Sequence, residues 1–163
     1  VAREVGSSDI AYVQVEAVLA QCDLFLNEGA ALQEKTQKAQ KSWAQKEQNL
    51  QAEAAQLQEK YQKGLITTND AQAQQQSIEK RVASYQSSAQ KEAQALDEEN
   101  YVFTNRAQDL LHRAVQEING DKKYKLIINA TALIDADSTL NITPAVLAKV
   151  NELYAADKKA VKK

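Results

Sequence analysis

Proline occurs once in these 163 residues, glycine four times, cysteine once and histidine once. The lone Cys22 excludes an internal disulfide framework and a multi-cysteine zinc site. The lone His112 excludes a polyhistidine metal site and weakens most acid–base schemes. No run of residues approaches the ~18 consecutive apolar side chains that a membrane-spanning helix needs. There is no glycine-rich phosphate loop, no plausible nucleophile–base pair and no metal cluster, so neither an enzyme nor a cofactor is expected. Excess positive charge is missing too. The formal net charge is −2, which argues against a general nucleic-acid binder. What is present is a helix-forming composition, with 27 alanines and 20 glutamines. Larger apolar side chains make up only about a quarter of the chain, so one core running through all of it is not expected.

The chain falls into three regions of different character. After a polar lead, Val1 to Ser8, comes Asp9-Ile10-Ala11-Tyr12-Val13-Gln14-Val15, rich in β-branched and aromatic residues and read as a buried strand. Glu16 to Asn27 reads as a short helix, with Val18, Leu19, Cys22 and Leu26 at three- and four-residue spacings, and Gly29 can end or bend it.

From Ala30 to Gly64 there is no proline and no internal glycine. Leu32, Trp43, Leu50, Leu57 and Tyr61, with Ala39 and Ala54 between them, form one narrow apolar stripe on a long helix. Gly64 stands where a helix C-cap belongs, and Thr68 to Asp70 offer N-cap side chains for a second helix. The stripe then resumes at Ile78, Val82, Tyr85, Ala89, Ala93, Leu96, Asn100, Phe103, Ala107, Leu110 and Ala114. Helices of about 34 and 49 residues would be roughly 50 and 75 Å long. An antiparallel hairpin satisfies both stripes, setting Leu50 near Val82 and Tyr85, and Trp43 near Ala89 and Ala93. A second stripe, Tyr101, Val102, Leu111, Val115 and Ile118, predicts that the base of the hairpin packs against a body or another subunit.

Globular character returns after residue 118. Asn119-Gly120-Asp121 reads as a turn and Tyr124 to Asn129 as a strand buried on both faces by Leu126, Ile127 and Ile128. Ala132 to Asp135, with Leu133 and Ile134, reads as another short strand. Asp137-Ser138 make a turn, Thr143 is the expected N-cap and Pro144 the first residue of a closing helix through Val146, Leu147, Val150, Leu153 and Tyr154. The expected fold is mainly α with a small β body. The body comprises residues 9–29 and 119–157, with a hairpin arm at 30–118 whose tip lies at 64–69, and flexible ends at 1–8 and 158–163. So small a three-stranded body has open edges and a marginal core, and oligomerisation through the strands answers both problems.

The order of strand, short helix, long Gln/Lys/Ala-rich hairpin, strand, strand and helix resembles the Skp (OmpH-like) periplasmic chaperones. Asp9 to Val15 resembles the family's opening strand, a lysine or aspartate followed by Ile-Ala-x-Val and a polar residue. Tyr124 to Ala130, then Ala132-Leu133, Ile142-Thr143, Val146-Leu147 and Val150, resembles its closing segment. The resemblance implies a homotrimer whose strands join in a central barrel. It also implies hairpins that enclose unfolded outer-membrane proteins without ATP, and a periplasmic location. A start at Val1, without a methionine, fits a removed export signal and a trimmed chain alike. The barrel contacts carried over are Ile10, Tyr12, Val13, Val15, Leu126, Ile127, Ile128, Leu133 and Ile134. The best-known members are strongly basic and this chain is slightly acidic, so no lipopolysaccharide site is carried over.

Outside the seam of Leu32, Trp43, Leu50, Leu57, Tyr61, Ile78, Val82, Tyr85, Leu96, Phe103 and Leu110, the hairpin offers chiefly alanine and glutamine, with Leu65 and Ile66 at the tip. Client contacts there are expected to be diffuse and multivalent. Trp43 is read as seam packing, Cys22 as a small buried hydrophobe and His112 as incidental; the pair Asp135 and Asp137 is not read as a calcium site. The rival reading is a structural coiled coil that binds one folded partner through the hairpin. A prefoldin-like arrangement fits worse, because there the strands lie between the helices rather than flanking them.

Overall fold

The computed structural model describes residues 9–162. The lead through Ser8 and the final Lys163, expected as flexible, lie outside the described residues. In chain order the elements are β1 (Ile10–Val13), α1 (Val15–Gln21), a π-helical turn (Phe25–Gly29), α2 (Ala30–Gln62), α3 (Thr68–Ile118), β2 (Leu126–Asn129) and α4 (Thr143–Val161). Two 3₁₀ turns, Ala130–Ala132 and Ser138–Leu140, lie between β2 and α4. The chain divides into two units, one of Val1–Ala31 with Tyr101–Lys163 (the body) and one of Leu32–Asn100 (the helical pair). The division falls within the two long helices.

In the body, β1 and β2 pair in parallel, with Ile10 opposite Leu126 and Val13 opposite Asn129. Hydrogen bonds from Lys125 N–H to the Asp9 carbonyl (2.8 Å) and from Ile142 N–H to the Tyr12 carbonyl (3.0 Å) extend the pattern. The third strand was expected at Leu133–Ile134. Instead Asn141 bridges in parallel to Tyr12, and residues 133–134 are no strand. The cause lies just upstream. The Asn129 carboxamide accepts a hydrogen bond from Thr131 N–H (3.3 Å) and winds the chain into a 3₁₀ turn that leaves the sheet.

One core gathers both ends of the chain: Val13, Val18, Cys22, Leu24, Leu110, Leu111, Ala114, Val146, Val150, Leu153 and Tyr154. Each fully buried Val or Leu contributes about 1.5–3 kcal/mol. The expected helix over residues 16–27 is broken. α1 stops at Gln21, Cys22 is extended (φ −70°, ψ 153°), and helix restarts at Asp23. The Asp23 N–H left without an intrahelical partner is taken by Asn151 Oδ1 at 2.8 Å, a cap supplied from α4. Gly29 does not end the helix. A Cβ there would lie 3.0 Å from Phe103 Cζ, so glycine lets the backbone approach that ring closely. Thr143 is not the N-cap of α4. Its hydroxyl accepts from Gln14 N–H (2.9 Å) and donates to Asn141, while Pro144 does sit in the first turn. α4 runs to Val161, so Lys158 and Lys159 are helical rather than frayed.

In the helical pair, α2 ends at a Schellman turn. Gly64 has φ +70°, Leu65 N–H bonds the Lys60 carbonyl (2.9 Å) and Gly64 N–H bonds the Tyr61 carbonyl (3.1 Å). The cap that starts α3 is Thr67, whose Oγ1 accepts from Asp70 N–H at 3.1 Å, one residue before the expected Thr68. No side chain crowds Gly64, so Gly64→Ala isolates the backbone cost of positive φ. Thermal unfolding followed by helical circular dichroism should show a loss of about 1–2 kcal/mol. An unchanged melt would show that the turn has no need of left-handed backbone at this position.

Candidate functional site

Alternation along the two strands gives the small sheet two unlike faces. Ala11 and Val13 point into the body core, and Ile127 packs partly against it. Ile10 and Tyr12 alternate with them on β1, and Leu126 and Ile128 are their register partners on β2. Leu126 is 51% exposed and Ile10 38% exposed, while Tyr12 and Ile128 are half-buried. β2 was expected to be buried on both faces; among the described residues it is not, Leu126 being exposed and Ile127 and Ile128 half-buried. Its second edge has no strand partner among the described residues. Later in the chain Ile134 is fully exposed and Leu133 half-buried.

One of the residues expected at subunit contacts is occupied otherwise, and a second is occupied in part. Val13 is 2% exposed and lies wholly within its own core, and Val15 is the first residue of α1, packed against that core. Val13, enclosed by its own chain, has no surface left for a second copy, whereas Val15 is half-buried.

The helical pair is held by polar contacts that climb one helix while descending the other. Lys35 Nζ meets Glu99 (2.7 Å), Trp43 Nε1 donates to Glu92 (2.9 Å), and Arg81 pairs with Glu53. Tyr85 donates its hydroxyl proton to the Trp43 backbone carbonyl (3.0 Å). This order makes α2 and α3 antiparallel within Leu32–Asn100. Of the seam residues, Leu57, Ile78 and Leu96 are buried, and Leu32, Trp43, Leu50, Val82 and Tyr85 are half-buried. Tyr61 is 50% exposed, in the last turn of α2, and lines an open groove with Ala54, Ala55, Ala71 and Gln75. Leu110 lies in the body core and Phe103 packs against it, its ring 6.3 Å from that of Phe25. At the tip Leu65 is 68% exposed and Ile66 half-buried. In the second α3 stripe, Leu111, Val115 and Ile118 join the body core, whereas Tyr101 and Val102 stay exposed.

Residues invisible to the sequence reading include Leu24, fully buried, and Asn151, the remote cap. Asn119 is a third. Its carboxamide accepts from Tyr124 N–H (2.9 Å) and donates to the Tyr124 carbonyl (3.0 Å), fixing the chain's entry into β2. Leu24 is off the helical spacing because the break at Cys22 resets it. Asn151 carried no local signal at all.

Charge in the body is arranged as two forked pairs. Arg106 grips Glu28 (2.7 and 3.3 Å) and Arg113 grips Asp157 (2.9 and 3.2 Å). The Arg106 guanidinium holds the Glu28 carboxyl below its ordinary range, against a smaller opposing effect of burial. Arg113 does the same for Asp157. Burial pushes the Tyr154 phenol up, and the neighbouring Glu28 adds to this; its buried hydroxyl has no hydrogen-bond partner among the described residues. Cys22 is buried, and its thiol donates to the Leu19 carbonyl at 3.3 Å. Asp137 caps the Thr139 turn, and among the described residues no group of three His, Cys, Asp or Glu side chains is placed to hold a metal. No described helix is long and apolar enough to cross a membrane.

This arrangement of two apolar-edged strands and a long helical pair matches a known family. The profile described as "Outer membrane protein (OmpH-like)" fits residues 9–150. The chain belongs to the OmpH-like family. Among solved structures, a proposed outer membrane chaperone (OmpH-like) from Caulobacter crescentus CB15 shares the fold, with a TM-score of 0.74. It is 17% identical to this OmpH-like chain, the match covering 88% of this chain and 84% of that one. No curated protein matches.

The forked pairs fix a pH dependence. Both carboxylates have lowered folded-state pKa values, so their stabilisation is present above the ordinary carboxylate range and is lost as pH falls below about 4. The side chains are a third to a half exposed, so each pair is worth at most about 1 kcal/mol. Urea unfolding at pH 7 and pH 3 should show the Arg106→Met/Arg113→Met variant losing less stability on acidification than the parent. Parallel losses in the two proteins would show that these pairs contribute nothing.

Proposed function

We propose that this OmpH-like chain is an ATP-independent holdase of the bacterial periplasm. In this reading three copies join through their small sheets, and their helical pairs enclose unfolded outer-membrane β-barrel proteins until release. Membership of the OmpH-like family supports the chaperone role and an outer-membrane client. The observation that carries the assembly is the uncovered sheet face: Ile10, Tyr12, Leu126 and Ile128 beside an unpaired β2 edge. Apolar side chains flanking open backbone donors and acceptors form the surface that a second strand covers best. Leu133 and Ile134 would then find their strand pairing only across copies, which accounts for the full exposure of Ile134 in one chain.

Client contact is diffuse in this reading. Leu65 and Ile66 at the tip are minor contributors among many weak contacts, and weak contacts allow release without ATP. The discriminating experiment is suppression of aggregation. Urea-unfolded outer-membrane barrels of several kinds are diluted with the native protein at stoichiometric ratio and turbidity is followed. Broad suppression is expected. Leu126→Lys places a charge in the proposed subunit contact while leaving the chain's own core untouched. It should abolish suppression with helical content unchanged, whereas Leu65→Ser should alter it less than about threefold. Full suppression by Leu126→Lys, or binding of one folded partner only, would contradict the proposal.

A further inference from the structure

The helical pair carries 16 glutamines between Leu32 and Asn100, every one of them exposed. Two spend a donor on a neighbour: Gln45 on Asn49 (2.9 Å) and Gln75 on Glu79 (3.1 Å). Charge in the same stretch is almost balanced, with nine lysine and arginine residues against ten aspartate and glutamate residues. The balance is in part local. Lys35 faces Glu99 and Arg81 faces Glu53 across the pair, while Lys38 pairs with Glu34 and Lys63 with Glu59 along α2. Such a surface sets up no field of one sign and gives little charge-based selection among clients. What it does present, at high density, is the carboxamide.

A carboxamide offers donors and an acceptor together, as does each peptide unit of an unfolded chain. A folded protein has used those backbone groups internally; an extended one has not. Resting on the chaperone reading above, we propose that the helical pair takes extended polypeptide by its backbone amides, through exposed glutamines and without regard to the client's net charge. Each hydrogen bond exchanges with water and nets little. The capture is therefore a sum over many residues. Gln86, Gln90 and Gln94 form one ridge of α3 at four-residue spacing and are a natural place to test it.

The probes are two urea-unfolded, fluorescently labelled polypeptides of equal length, one net acidic and one net basic. Each is titrated with the native protein at 50 and 500 mM sodium chloride. Dissociation constants should agree within about threefold between probes and between salts. Gln86→Ala/Gln90→Ala/Gln94→Ala should weaken both probes by about threefold to tenfold, and alanine keeps the helix. The corresponding triple lysine variant should acquire a preference for the acidic probe that salt removes. A tenfold or greater dependence on salt or probe charge in the parent protein overturns the proposal, as does an alanine variant that binds undiminished. Failure of both probes to bind at either salt would overturn the chaperone reading itself, and this inference with it.

Discussion

Parallel pairing of β1 with β2 is the constraint on which the body depends. It joins a segment near the start of the chain to one near its end, in the register of Ile10 with Leu126. Once the ladder is set, Val13 reaches the core that α1, the end of α3 and α4 complete. The cost of closing so long a loop rises only slowly with length. It is reduced further here, because α2 and α3 pair with each other and need no residue of the sheet to do so. The ladder is a non-local contact, whereas the helical pair is local.

The same ladder creates an unfinished surface. Two strands bury one face well, as Ala11 and Val13 show, and leave the other to Ile10, Tyr12, Leu126 and Ile128. The body therefore combines a complete core with an apolar margin, a combination suited to association. The helical pair is different in kind. It joins polar contacts between the helices to a thin apolar seam in which Leu57, Ile78 and Leu96 are buried, and its outer surface is glutamine and balanced charge. Assembly and client capture would thus draw on different chemistry in different parts of one chain.

Much of this was legible in the residues. The two long helices followed from stripes at three- and four-residue spacing, and the turn between them from Gly64, whose positive φ only glycine adopts freely. β1, β2 and α4 followed from β-branched runs and from Pro144. Two of the failures share one cause, that polar side chains acting at a distance leave no local pattern. Asn151 restarts a helix far earlier in the chain, and Thr143 bonds Gln14 instead of capping its own helix. Asn129 bends the chain out of the sheet, so the apolar pair Leu133–Ile134 looked like a strand and is none. Val13 carried a strand signal whether it faced inward or outward, and only the register decided that it faces its own core.

The mass of the native protein in solution bears most directly on all of this. Sedimentation equilibrium at micromolar concentration should return three times the chain mass of 18.0 kDa, through joined sheets. A single species at the mass of one chain, stable across concentration, would mean that the exposed sheet face stays exposed, and the proposed enclosure of clients could not form.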